Sequence, residues 1–243
     1  MFTTDYFMKK ILTAVFLIGS ITSFAQDQYT KKKVNLAGRP NDHILIQLGI
    51  TNWAKKPDSI NTKGLSRSFN MYFMFDFPFK SNPRISVAIG PGIGTDNIFF
   101  SKTYVDIKQN ATLLFQDVSD TNHFKKFKLA TAWLEAPLEL RYSSNPATPN
   151  KSYKFAIGIK GATLLNAHTK GKDWRNKANQ TLISYTQKEN SKRFFNTTRF
   201  LATARFGWGP FTLYGSYQLN PLFKEGLAPD VRPYSIGLTL SGL

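Results

Sequence analysis

Three sets of residues in this chain could do chemistry. The first is a scatter of charges, Asp76, Glu135, Glu139, Arg141, Lys154, Lys160 and Arg205, each lying in a segment whose large apolar residues fall at every second position. If those segments are strands, the charges share the face opposite the apolar one. Buried charges must be paired or hydrated, so carboxylates and cations on neighbouring strands predict a salt-bridged plug or, functionally, a polar conduit. The second set is a run of bases, Lys170, Lys172, Arg175, Lys177, Lys188, Lys192 and Arg193, set against only Asp173 and Glu189. With Trp174, Tyr185, Phe194 and Phe195 among them, these bases could clamp a phosphorylated or acidic glycan. Solvated charge on an exposed loop is the plainer reading. The third set is His43, His123 and His168. A hydrolase could use one as a base, but none stands near a Ser and a carboxylate in a recognisable motif.

No catalytic residue is therefore expected. With no Cys and no closely spaced His pair, no metal site and no bound cofactor are expected either. Gly90-Pro91-Gly92-Ile93-Gly94 resembles a phosphate loop only in its glycines, since a strand-like pattern surrounds it and no helix follows. Asn110, Asn179 and Asn196 match a glycan-acceptor pattern that is common by chance, and no role is assigned to them.

The elements that must position these residues read as eight strands. Phe69, Met71, Phe73, Phe75, Phe77 and Phe79 interleave with Ser68, Asn70, Tyr72, Met74, Asp76 and Pro78, the clearest two-residue period in the chain. Comparable alternation marks 43–53 (Ile44, Ile46, Leu48, Ile50 on one face) and 84–95 (Ile85, Val87, Ile89, Ile93). It marks 131–142 (Leu134, Ala136, Leu138, Leu140, Tyr142) and a segment holding Tyr153, Phe155, Ile157 and Ile159. The last three carry Phe200 to Phe206, Phe211 to Leu219 and Tyr234 to Leu240. The opposite face holds mainly Gly, Ala, Ser and Thr, where a solvated sheet would usually show Lys, Glu and Gln. Small residues suit a narrow barrel whose side chains converge on the axis.

Connections alternate in length. Short ones lie at 80–83, 143–151 and 209–210, and long ones at about 54–67, 96–130, 166–198 and 220–232. Tight periplasmic turns and long external loops make that pattern in bacterial barrels. Asn97 to Ile107 and Phe124 to Thr131 are β-prone, so the second long loop is expected to prolong its flanking strands. An export signal precedes all of this. Lys9 and Lys10 lead into the apolar run Ile11 to Ile18, and Ser23-Phe24-Ala25 supplies small residues for cleavage before Gln26, with Met8 the expected start. The expected organisation is a signal peptide over 1–25, a flexible periplasmic leader over 26–42 and a barrel over 43–243. The expected fold is an all-β, eight-stranded, antiparallel, up-and-down transmembrane β-barrel. The 21 Phe, 10 Tyr and 4 Trp fit interfacial girdles.

A formal net charge of +17 would suit a nucleic-acid binder, but that reading needs a cytoplasmic chain with a basic stripe on one element. No nucleic acid is expected for an exported chain, and anionic lipopolysaccharide and outer-membrane lipid are the available partners.

The eight strands and the segment Ala132-Trp133-Leu134-Glu135-Ala136-Pro137-Leu138-Glu139-Leu140 resemble the PorT-like outer-membrane β-barrel family. In that family a strand of the form aromatic-Leu-Glu-apolar-Pro-Leu recurs near mid-chain, and the glycine-rich third strand is similar as well. The resemblance covers 43–243. With no catalytic set among the residues a non-enzymatic outer-membrane barrel is expected, and the resemblance implies, as in the family's founder, a place in a secretion or assembly complex. A protein partner would be met through the external loops or the periplasmic leader. Three other classes stay open on the residues alone: an outer-membrane enzyme acting on lipid A, a small-solute channel, and a soluble barrel with its large apolar faces turned inward.

Overall fold

The computed structural model describes residues 43–241 except 64, 109 and 110. The expected signal peptide, the leader and one glycan-acceptor match, Asn110, lie outside the described residues.

Eight wall strands close into a ring. They are β1 (Ile44–Ala54), β2 (Arg67–Phe73) continued by β3 (Phe75–Pro78), β4 (Ile85–Ile89) continued by β5 (Gly92–Phe100), and β8 (His123–Ser143). The ring continues through β9 (Tyr153–Arg175), β11 (Thr198–Trp208), β12 (Phe211–Gln218) and β13 (Arg232–Ser241). Every wall pairing is antiparallel, and the β13–β1 and β8–β9 ladders complete the circuit. A closed ring leaves no unpaired edge. Three further strands, β6 (Thr103–Asp106), β7 (Leu114–Asp117) and β10 (Thr181–Asn190), lie in two of the long connections.

The second and third wall strands are each broken once, at one level. Pro91 has no N–H to give to a ladder, and its carbonyl instead accepts from Phe73 N at 2.9 Å. Opposite, Met74 N donates to His43 O at 2.7 Å. Gly90 is required at the crossing, because a Cβ there would sit 1.8 Å from the Phe73 carbonyl oxygen.

Alternation sorts the side chains as the two-residue period predicts. Leu48, Ile159, Phe206, Phe211 and Leu238 point outward, each about 60 % exposed, and the expected apolar face of every wall strand does the same. A belt of this extent around a whole ring far exceeds the apolar patches that soluble surfaces carry. It overturns the inside-out alternative, in which these faces would line a ligand cavity. Tyr153 packs edge-on to Trp208 at 5.1 Å at one rim of the belt, as a girdle would.

One end of the ring carries only tight connections, over 79–84, 144–152 and 209–210. The second of these contains a short 3-10 turn, Pro149–Lys151, and in the third Gly209 takes φ +57°, a left-handed conformation that costs glycine little. The other end corrects an expectation. The long connections do not behave as simple loops but fold together into a cap with its own core. Trp53, Phe100, Phe195, Leu222, Phe223 and Val231 are buried there among residues from all four connections. Trp53 lies edge-on to Phe100, Phe115 and Phe223 at 5.7, 6.0 and 5.7 Å.

The third long connection is corrected most. Where a loop was expected over 166–198, β9 continues to Arg175 and β10 returns along it. At 21 and 23 residues, β8 and β9 are about twice the length a membrane strand needs, so they stand well above the apolar belt. The β5–β8 ladder likewise runs up to Phe100 and Phe127, as the β-prone flanks of the second connection predict.

Candidate functional site

The interior is organised by two glutamates on β8. Glu135 and Glu139 are separated by an even number of residues and so point to the same side of the strand, into the lumen. Glu135 accepts a hydrogen bond from Tyr72 Oη at 2.5 Å and an ion pair from Lys160 Nζ at 3.0 Å, and it also pairs with Arg199 Nη2. Lys160 Nζ donates to the same Tyr72 oxygen at 2.7 Å, so the phenol links cation and carboxylate. The other Arg199 amine reaches Asp96 at 2.6 Å, and its guanidinium lies over the Trp133 ring at 4.2 Å. Gly94 makes room for this layer, since a Cβ there would come within 2.5 Å of Glu135 Oε1.

Nearer the tight-turn end, Glu139 takes Arg205 Nη2 at 2.6 Å and Arg141 Nε at 2.9 Å. Arg141 also reaches Asp76 at 3.7 Å, and Ser86 Oγ donates to Asp76 at 2.8 Å. The rest of the cross-section is neutral and polar. Asn70 donates to Gln47, Gln47 to Thr239, and Ser68 meets the Tyr214 hydroxyl at 3.0 Å.

Four carboxylates, Asp76, Asp96, Glu135 and Glu139, thus meet four cations, Arg141, Lys160, Arg199 and Arg205. The balance matters because an unpaired charge here would bear its full desolvation cost. Of the charges expected inward from sequence, Asp76, Glu135, Glu139, Arg141, Lys160 and Arg205 are brought into this network, and Lys154 shares the inward face. Sequence reasoning missed Arg199, Asp96 and Tyr72. Arg199 stands six residues before Arg205 on one strand, so its parity was a usable signal. Asp96 follows Gly94 in the same way.

The expected basic loop cluster is divided. Lys170 on β9 stands directly opposite Lys188 on β10, and Lys172 follows Lys170 on the same face. Arg175 ends β9, while Lys177 reaches Asp120 at 2.9 Å with both side chains largely exposed. Lys192 and Arg193 lie beyond β10, where Arg193 stacks on Phe194 at 5.3 Å. Lys128 on β8, not among the expected residues, pairs in register with Lys170 from the other side.

The histidines stand apart. His43 Nδ1 contacts Met74 O at 3.1 Å, and its ring stacks on Phe73. His123 contacts Thr121 O and Asn179 Oδ1 at 3.1 and 3.3 Å. His168 has a buried Nδ1 with no partner, and burial, then Lys188, Lys128 and Lys170, holds its pKa below the usual imidazole value. Among the described residues no three His, Cys, Asp or Glu side chains group as a metal site would require. Within the cap a cavity of about 290 Å³ is lined by Tyr104, Gln116, His123, Phe124, Phe127 and Trp174. Aromatic walls with a few polar groups are the usual make-up of a small-ligand site.

A family model described as the outer membrane protein beta-barrel domain matches residues 24–225. No curated protein sequence matches the chain significantly. Among solved structures, the chain is similar to two of Ail, the attachment invasion locus protein of Yersinia pestis, one of them in complex with the heparin analogue sucrose octasulfate. The identities are 14% and 15%, and each alignment covers 82% of this chain and 94% of that chain at a TM-score of 0.34.

Proposed function

The chain belongs to the outer membrane protein beta-barrel domain family, and on that premise we propose that it is a non-enzymatic barrel whose folded external cap mediates surface interaction. The observation that carries this reading is the contrast between the two halves of the molecule. Within the membrane, the lumen is spanned by charge pairs that leave the side chains no free task. Above it, chain length that a spanning barrel does not need is folded around an aromatic core and encloses a cavity.

The flow of material through the lumen would require breaking these pairs, which weighs against the channel reading. An eight-stranded ring is just wide enough for side chains to fill. The lipid A enzyme reading would need a Ser, a His and a carboxylate converging at the external rim. His123 and His168 instead contact amide and carbonyl groups or stand among lysines, which favours the non-enzymatic reading.

The finer assignment follows the segment Ala132–Leu140. Its likeness to PorT-like barrels supports a role as one component of a secretion or assembly complex, with a protein partner meeting the cap or the leader over 26–42. Export through a signal peptide over 1–25 belongs to the same reading. Lipopolysaccharide is the proposed lipid partner, since the cap carries far more cations than its acids can neutralise.

The test is site-specific photocrosslinking in intact cells from a cap position, Gln116, and from a tight-turn position, Asn145. A discrete adduct from Gln116 alone, absent from Asn145, is expected. Adducts from Asn145 alone would move the interaction to the periplasmic side and contradict the reading.

A further inference from the structure

Three lysines stand in one row across the wall above the apolar belt. Lys128 on β8 is the register partner of Lys170 on β9, and Lys170 is the register partner of Lys188 on β10. Directly opposed side chains in a ladder have Cβ atoms about 4.5–5.5 Å apart, and like charges at such positions repel. Lys126 and Lys172 repeat the opposition two residues further along.

All five point outward. On β8, Lys126 and Lys128 have the parity of Leu134 and Leu138, which face out of the barrel. On β9 the register shifts where Ala132 pairs with Asn166 and Trp133 with Leu164, so that Leu165 and Asn166 are both exposed. That bulge reverses the inside–outside alternation. Beyond it, Ala167, Thr169 and Gly171 are buried, and Lys170 and Lys172 are exposed.

Nothing among the described residues neutralises the row. Among the described residues, Lys128, Lys170 and Lys188 take part in no ion pair. Lys128 donates to neutral Asn97 Oδ1 at 2.6 Å and lies over the Phe99 ring at 5.7 Å. The acids on the same strands are engaged elsewhere: Glu189 has the opposite parity to Lys188 and accepts from Gln187, while Asp173 accepts from Ser184. One register nearer the belt, His168 leaves its buried Nδ1 without a partner. Burial and then the three lysines lower its proton affinity, and that of Lys128 is itself lowered by burial and then by Lys170 and Lys188.

The height of the row indicates what would fill this gap. The last exposed large apolar residue of β9, Leu165, lies in the bulge beside Ala132 and marks the top of the belt there. From Ala132 to Lys128 is about 13 Å along a strand, or about 10 Å of height at the usual barrel tilt. That places the ammonium groups above the hydrocarbon, at the level of lipid headgroups.

We propose that Lys128, Lys170 and Lys188, flanked by Lys126 and Lys172, bind a phosphate group on the headgroup of a glycolipid in the outer leaflet. The inference rests on the outer-membrane reading and gives its lipid partner a site. A phosphate brings charge and three acceptor oxygens to lysines that otherwise repel one another. Because the row lies on the outer wall and not in the cap cavity, a lipid anchored in the same leaflet reaches it directly.

The test uses protein extracted from outer membranes and reconstituted in four settings. These are phosphatidylcholine vesicles alone, the same with bisphosphorylated lipid A, the same with dephosphorylated lipid A, and phosphatidylcholine vesicles in inorganic phosphate. The readout is the temperature at which the fast-migrating folded band is lost on a gel. The expected result is a rise with bisphosphorylated lipid A alone, shrinking with added salt and absent from K128Q/K170Q/K188Q. In phosphatidylcholine alone, that triple variant should be at least as stable as the native protein, because it removes repulsion. An equal rise with dephosphorylated lipid A, or a full rise in the triple variant, would overturn the site. So would a triple variant weakened in every vesicle, since the lysines would then be structural. An equal rise with inorganic phosphate would overturn the lipid as the source. Absence of any folded band in all four settings would count against the membrane reading itself, a failure distinct from the others.

Discussion

Glu135 and Arg199 meet inside the barrel from strands that are not neighbours. β9 stands between β8 and β11, so the ion pair spans the lumen and does not decorate one ladder. Glu139 and Arg205 repeat the same β8–β11 connection a level lower. Lys160 and Tyr72 join β9 to β2 in the same way. Backbone ladders close the ring, and these side-chain pairs tie it across its width.

Glu135→Gln is expected to destabilise the barrel by about 3–5 kcal/mol, because Arg199 and Lys160 would lose their buried counter-charge. The double variant E135Q/R199Q should recover part of that loss. Urea titration in vesicles, arranged as a double-mutant cycle, measures the coupling. Additive losses would mean that the two groups do not interact.

Gly94→Val should weaken the same layer by displacing the Glu135 carboxylate, at a cost of about 1–3 kcal/mol typical of overpacking. Gly215→Ala, where an added Cβ meets nothing within 4 Å, is the matched control. Unfolding midpoints of the two variants should separate clearly.

A lumen spanned by paired charges should pass no ions in steady steps. Planar-bilayer recordings of the native protein are expected to be silent. Discrete, reproducible conductance steps would restore the channel reading.

The cap should be separable from the wall. Trp53→Ala removes the ring that meets Phe100, Phe115 and Phe223, and loss of a large aromatic core side chain costs about 3–5 kcal/mol. External protease should then cut within 101–122 much faster than in the native protein, while the unboiled band keeps its position. Loss of that band would show that cap and wall fold as one unit.

His168 gives the cap a pH dependence of definite sign. Its folded pKa lies below the ordinary 6.5, so the unfolded chain binds the proton more readily. The contribution is full above the unfolded pKa and is lost as pH falls from about 6.5 towards the folded value. His168→Gln should flatten that limb in cap proteolysis measured between pH 7.5 and 5. An unchanged slope in the variant would assign the effect elsewhere.

The wall was legible in the sequence because a strand has one period and the lipid imposes it on the outer face without interruption. Phe69 to Phe79 shows this most plainly: its parity survives even the break at Met74. The same parity placed Glu135, Glu139 and Arg205 inward. Arg199 and Asp96 escaped because each lies at the limit of the apolar alternation legible in the sequence, Arg199 just before Phe200 and Asp96 just past the segment ending at Thr95, although β11 and β5 both extend beyond them. On β9 the rule itself fails. Extrapolated from Lys160, even-numbered Lys170 and Lys172 would point inward, and only the bulge at Leu165 and Asn166 turns them out. The cap core was not legible at all. Trp53 lies near the end of β1, Phe100 ends β5, and Phe195 and Phe223 lie in the third and fourth long connections. They share no period, and their meeting depends on contacts across the ring.

The outer-membrane barrel is tested most directly by fractionation of native membranes followed by a gel of unboiled and boiled samples. The protein is expected in the outer-membrane fraction, with the unboiled band migrating faster than the boiled one. A soluble protein with no shift between the two would contradict it.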